Sequence, residues 1–183
     1  MGKPSKEEDV LKLFFEEPTK HWHFTEIKSI VKIADNKVSR WLNEFVKMKL
    51  IKKIKPQNKM PYYISNYENS NYQNLKKFYA IKKFQNSGFF NHLLGLDAKS
   101  IVLFGSFSRW DWYKNSDIDL FIYGDDKHFE KSKYEKILNH EIQVFNFKNK
   151  SQLKKIPKEL MHNIIQGNLI KGNLDFLEVN VIG

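Results

Sequence analysis

The chain contains no cysteine. That excludes disulfides, thiol catalysis and cysteine-ligated metals, and it fits a reducing compartment, so a cytoplasmic location is expected. No apolar run approaches the ~20 residues a membrane-spanning helix needs. The first residues, Met1 to Glu8, are polar and lack a signal-peptide core. No membrane partner is expected. Gly-Lys-Ser and Gly-Lys-Thr are both missing, which excludes a Walker A loop, and no G-x-G-x-x-G occurs. No histidine is placed in sequence as an obvious partner for a serine nucleophile, which argues against acyl transfer.

What is abundant is positive charge and phenylalanine. The 183 residues carry 31 Lys and Arg against 21 Asp and Glu, a formal charge of +10, and include 15 Phe. The length allows one medium domain or two small ones, and the apolar content suffices for packed cores. A basic balance favours polyanion partners, because binding nucleic acid releases counterions; plain solubility of a Lys-rich chain is the competing explanation. The excess is uneven. Residues 1–66 hold 14 basic and 8 acidic side chains, more than half of the surplus in about a third of the chain.

Periodicity divides the chain into two kinds of segment. Ser5 is a cap for a first helix with the apolar stripe Val10, Leu11, Phe14 and Phe15, ended by Pro18. Thr25 is expected to cap a second helix carrying Ile27, Ile30 and Val31. Asp35 or Asn36 is expected to cap a third, in which Val38, Trp41, Leu42, Phe45 and Val46 recur at helical spacing. Residues 50–54 and 62–64 read as two strands around a basic, turn-rich loop. Residues 65–74 look like a polar linker before a helix at roughly 75–84 and a short one near 89–94. Strand and helix then alternate. Strands are predicted at 101–104, 117–123 and 141–147, with a helix at 129–138 and mostly helical structure after Ser151.

The chemistry concentrates between Ile101 and Leu120. Asp117 and Asp119 stand at i and i+2 on a predicted strand, so their side chains share a face. Two like charges near a core are costly unless a cation sits between them. Mg²⁺ prefers carboxylates plus substrate phosphate oxygens, so the pair suits metal-assisted phosphoryl or nucleotidyl transfer. Gly105-Ser106 ends the preceding apolar strand, where glycine permits close approach of a ligand. A helix is expected to begin at Ser106, with its free N–H groups and the Ser hydroxyl turned to phosphate. Arg109 is either a phosphate-stabilising cation or an ion-pair partner of Asp111.

A strand, Gly-Ser, ten residues, then Asp-x-Asp on the next strand resembles the DNA polymerase β-like nucleotidyltransferase superfamily. Phe107-Ser108-Arg109-x-Asp111 is similar to its small, stand-alone minimal type. The resemblance spans roughly residues 97–180. It implies transfer of a nucleoside monophosphate from an NTP, with ATP expected, to an acceptor hydroxyl, with Mg²⁺ held by Asp117 and Asp119 and phosphates held by Gly105, Ser106 and Arg109. It also implies an acceptor on a partner protein, as in toxin–antitoxin pairs, with nucleic acid or a small molecule still open. Two departures stand out. Trp110 replaces a frequent glycine, and the third carboxylate of the family has no certain counterpart. Glu141 and Gln143 both face the pair by alternation, and Gln143 occupies the expected register. Either Glu141 completes the catalytic set, or the domain binds nucleotide with reduced or no catalysis.

The first segment resembles winged helix-turn-helix domains, through Phe24-Thr25-Glu26-Ile27, Lys37-Val38-Ser39-Arg40-Trp41-Leu42 and Leu50-Ile51-Lys52-Lys53. The resemblance implies DNA binding. Asn36, Lys37, Ser39, Arg40 and Asn43 lie opposite the apolar stripe of the third helix, and Lys52 and Lys53 would reach phosphates from the wing. A homodimer is compatible with such a domain. His21 and His23 are expected to be ordinary loop residues. The expected architecture is α+β: a winged helix-turn-helix domain at 1–66, a helical connector at 67–96, and an α/β nucleotidyltransferase domain with a small mixed sheet at 97–183. The alternative function is a DNA-binding regulator whose second domain only binds nucleotide.

Overall fold

The computed structural model describes residues 5–176. It divides into two compact units, one of Met1–Phe78 with Trp112–Lys114, the other of Tyr79–Asp111 with Asn115–Gly183. The last seven residues of the segment expected at 97–183, and the first four of that expected at 1–66, lie outside the described residues. No helix among the described residues is long and apolar enough to cross a membrane.

The first unit begins with three helices, α1 (Lys6–Glu16), α2 (Phe24–Val31) and α3 (Asp35–Lys47). Ser5 caps α1, its hydroxyl accepting the Glu8 N–H at 3.2 Å, and Glu7, Glu8 and Asp9 favour the positive end of the helix. The other two caps differ from expectation. α2 starts two residues earlier, after His23, so Thr25 sits inside its first turn, and α3 starts after Ala34 with no side-chain cap. Packing of the apolar stripes sustains these ends instead. Val10, Phe14, Phe15, Ile27, Val38 and Leu42 are fully buried. Strands β1 (Ile51–Ile54) and β2 (Tyr62–Ser65) pair antiparallel, and Trp22 joins them through a bridge to Tyr63. His23 donates from Nδ1 to Pro61 O at 3.0 Å, and His21 stacks on Tyr62.

Residues 65–74 are not the expected linker. Helix α4 runs over Ser70–Asn86, starting five residues before the predicted onset. Tertiary contacts override the polar composition. Tyr72 is buried and donates its hydroxyl to Phe14 O at 2.9 Å, and Ser65 donates to the same oxygen at 2.7 Å. Trp112 is buried against Phe15 and lies under the Lys76 ammonium, 4.7 Å from the ring centre.

The second unit contains α5 (Phe89–Gly95), β3 (Ala98–Phe104), β4 (Ile118–Gly124), α6 (Lys131–Leu138), β5 (Ile142–Phe147), α7 (Lys150–Leu153), α8 (Lys158–Ile165) and β6 (Asn168–Lys171). With α4 this makes eight α-helices among the described residues. The four strands form one mixed sheet in the order β5-β4-β3-β6; β3 is antiparallel to both neighbours and β4 is parallel to β5. On one sheet face Val102, Phe104, Phe121 and Tyr123 pack with Leu153 and Ile164 of α7 and α8. Ile118, Leu120 and Ile122, pointing the other way, are also fully buried. Sheet and helices thus make the mixed α+β arrangement expected of a nucleotidyltransferase fold.

Two expectations for this unit need correction. Among the described residues the chain after Ser151 is not mostly helical, because β6 follows α8. Gly167 lets that strand close on β3: a Cβ there would lie 2.5 Å from Val102 Cγ1 and 2.7 Å from Leu103 O. And no α-helix begins at Ser106. A single 3-10 turn, Ser106–Ser108, opens a long connection between two adjacent antiparallel strands, which need no crossover helix.

Candidate active site

Asp119 projects from β4 and Asp117 stands one residue before that strand, close enough for its charge to act on the Asp119 carboxyl. Asp119 is half-buried and Asp117 is exposed. In the antiparallel register Asp119 pairs with Phe104, the last residue of β3, so the following Gly105 lies beside its carboxylate. Gly105 has φ +69° and ψ −153°, backbone that only glycine adopts readily. A Cβ at this position would overlap Asp119 Oδ2 and lie 2.9 Å from its Cγ. The glycine is therefore required twice, by its torsions and by the acid packed on it.

The turn after Gly105 is held by its own atoms. The Ser108 hydroxyl donates to Gly105 O at 2.8 Å, and the Arg109 N–H donates to Ser106 O at 3.1 Å. Ser106 is half-buried at the mouth of this turn. Arg109 is exposed and forms a two-point ion pair with Asp111, at 3.2 and 3.0 Å. Both sequence readings of Arg109 remain compatible with this geometry, since a phosphate would compete with Asp111 for the guanidinium.

Burial pushes the Asp119 carboxyl up to about 6; the neighbouring charge of Asp117 adds to that shift and Arg109 opposes it. A half-desolvated carboxylate beside a second one favours either a proton or a cation. The parallel pairing with β5 sets the third position: Gln143 is the direct neighbour of Asp119, and side chains paired in this way share a face. Glu141 precedes β5, is exposed, and receives the Ile118 N–H on its backbone oxygen at 2.8 Å. Among the described residues no three His, Cys, Asp or Glu side chains converge as a metal-binding group.

Two residues absent from the sequence reading touch the loop that bears these groups. Asn168 donates from Nδ2 to Ser108 O at 3.1 Å, and His140 lies 2.9 Å from Ser116 O through Nδ1. Neither carried a local signal. Asn168 lies on the unforeseen β6, and His140 stood as a single histidine before a strand.

On the first unit, the α3 residues Asn36, Lys37, Ser39, Arg40 and Asn43 are all exposed, opposite buried Val38, Trp41, Leu42 and Phe45. Lys52 and Lys53 are exposed on β1; Lys52 approaches Glu68 at 3.9 Å and Lys53 lies over the Tyr63 ring. Arg40 is 3.9 Å from Glu44. These weak, solvent-facing pairs leave the cations available to a polyanion.

Residues 95–174 match the family model described as Polymerase beta, Nucleotidyltransferase. The matched segment contains the Gly-Ser turn, both aspartates and Gln143, and it supports nucleotidyltransferase-type chemistry in general. A search of curated proteins and a search of solved structures found no match.

Proposed function

We propose that the second unit is a magnesium-dependent nucleotidyltransferase that moves a nucleoside monophosphate from an NTP, with ATP the expected donor, to an acceptor hydroxyl. The observation that carries this reading is Asp119 lodged against the Gly105 turn with Asp117 two residues away, inside the segment that resembles the family. The donor set fits the metal. Two carboxylates, one raised by burial, make a hard anionic pair of the kind Mg²⁺ binds together with substrate phosphates. Asp117 and Asp119 would hold the ion, and when bound it would neutralise phosphate charge and polarise the α-phosphorus centre.

The chain's own groups account for the rest. The turn at Gly105 and Ser106 offers backbone N–H groups and a hydroxyl to the β- and γ-phosphates. Arg109 exchanges Asp111 for phosphate oxygen. The acceptor oxygen attacks the α-phosphorus, the bond to the β-phosphate oxygen breaks, and pyrophosphate leaves. Glu141 is the carboxylate assigned to take the acceptor proton. The acceptor class follows the resemblance to the minimal type: a side-chain hydroxyl on a partner protein, as in toxin–antitoxin pairs.

The first unit is proposed as a winged helix-turn-helix module that binds DNA. Asn36, Lys37, Ser39, Arg40 and Asn43 would face the groove, and Lys52 and Lys53 the phosphates. One observation favours a second reading, a regulator whose nucleotidyltransferase-like unit binds nucleotide without transferring it. Gln143 stands beside Asp119, and an amide neither accepts a proton nor ligates metal as a carboxylate does.

The test is incubation with labelled ATP and Mg²⁺ plus cellular protein or RNA, beside the Asp117→Ala, Asp119→Ala double variant. Label transfer that vanishes in the variant supports the enzyme. ATP binding without transfer to any acceptor selects the regulator, and a chain that binds no nucleotide refutes both.

A further inference from the structure

We infer that His140 and Asn168 are positioning residues that brace the two ends of the loop carrying the site, one holding Asp117 and the other the Gly-Ser turn. The inference rests on the nucleotide reading above and adds residues to it.

β3 and β4 are antiparallel neighbours, yet residues 105–117 join them, far more than the two to five residues of a tight hairpin. Beyond the 3-10 turn that closes its first residues on themselves, a loop of that length does not fix its ends by turn geometry. Here each end is met by a side chain from an outer edge of the sheet. Asn168 opens β6, the edge strand beside β3, and pairs in register with Leu103. Its Nδ2 donates to Ser108 O at 3.1 Å, and the Ser108 hydroxyl in turn donates to Gly105 O at 2.8 Å. The two bonds link the edge strand to the turn that faces Asp119. Gly167 keeps Asn168 at this distance, since a Cβ would meet Leu103 O and Phe104.

His140 stands at the opposite edge, two residues before β5. A carbonyl oxygen only accepts, so Nδ1 bears the hydrogen and donates to Ser116 O at 2.9 Å. The ring is 7% exposed and meets Phe107 edge-on, with centres 4.9 Å apart. Packing from the 3-10 turn thus holds the imidazole, and the imidazole holds the peptide immediately before Asp117. The adjacent bond from Ile118 N–H to Glu141 O, at 2.8 Å, secures the strand beyond it. Two donors, far apart in sequence and on opposite edges, therefore set the spacing between the phosphate turn and the acids. Displacement of a reacting group by about 1 Å can cost up to ~10²-fold in rate, so bracing of this kind bears directly on function.

The test uses the full chain and the variants Asn168→Ala, Asn168→Asp, His140→Ala and His140→Asn. Asp keeps the shape of Asn168 without a donor; Asn at 140 restores a donor near the place of Nδ1. Amide hydrogen exchange is read at 105–109 and 116–118 and in the strands, and Mg-ATP affinity is read by calorimetry. The expected result is exchange about tenfold faster at 105–109 for both Asn168 variants and at 116–118 for His140→Ala, with strand amides unchanged. Mg-ATP affinity should fall about tenfold in the same variants and recover in His140→Asn. Unchanged exchange at the loop overturns the inference, as does faster exchange with intact affinity. If an alanine variant fails to fold, Asn168→Asp decides the question for the turn, and His140→Phe, which keeps a ring against Phe107 but has no donor for Ser116 O, decides it for the peptide before Asp117. A wild-type chain without Mg-ATP affinity would refute the nucleotide reading instead, while the exchange measurement would still decide whether the loop is braced.

Discussion

Replacing Gly105 by alanine tests the central contact of the site, because one methyl group must disturb both the backbone and Asp119. At φ +69° and ψ −153° a non-glycine residue costs about 1–3 kcal/mol in torsional strain. The new Cβ would also lie 2.9 Å from Asp119 Cγ and 3.3 Å from its Cβ, so the acid must leave its rotamer, at about 1 kcal/mol. The expected loss is about 3 kcal/mol, measured by urea unfolding at constant m-value. A double-mutant cycle separates the parts. Asp119→Ala removes the overlap but leaves the torsional strain, so the double variant should be less destabilised than the sum by about 1 kcal/mol. Affinity for Mn²⁺ or Mg²⁺, read by calorimetry, should fall sharply in Gly105→Ala because the displaced carboxylate no longer sits beside Asp117. An additive cycle, or a Gly105→Ala protein with undiminished metal affinity, would refute the reasoning.

Three further outcomes follow from the same geometry. The Asp119 carboxyl, raised to about 6 in the fold from an ordinary 3.8, binds its proton more tightly when folded. Its contribution to stability is therefore present below pH ~4 and lost as pH rises through about 6. After discounting for its partial exposure this amounts to about 1–2 kcal/mol. Urea unfolding between pH 4 and 8 should show the decline in the wild type and not in Asp119→Asn, and metal affinity should rise over the same interval. Gln143→Glu places a third carboxylate beside Asp119; tighter Mg²⁺ binding, by roughly tenfold, and lower metal-free stability are expected. A variant titrating like the wild type would show that this position does not reach the ion. For the first unit, Lys52→Ala with Lys53→Ala should reduce the slope of log affinity against log salt on duplex DNA by about two. Fluorescence anisotropy with an unchanged slope would remove these lysines from the interface.

The amino-acid order by itself determined which residues line the cores and which carry charge. Stripes at helical spacing, such as Val10, Leu11, Phe14 and Phe15, can bury one side only as a helix, and alternation along Asp119, Leu120, Phe121 and Ile122 assigns each side chain to a sheet face. The Gly-Ser and Asp-x-Asp spacing was legible for the same reason, since it is local. What depended on partners far along the chain was not. Helix α4 begins at Ser70 because Tyr72 bonds back to Phe14, 58 residues away. β6 forms because Gly167 admits it against β3, and only that strand brings Asn168 to Ser108. Strand pairing placed Gln143 beside Asp119, and burial of that acid in the closed unit, with Asp117 beside it, raised its proton affinity. Periodicity states which way a side chain faces; only the closed sheet decides what it faces, because hydrogen-bond register between strands is set by packing over the whole unit.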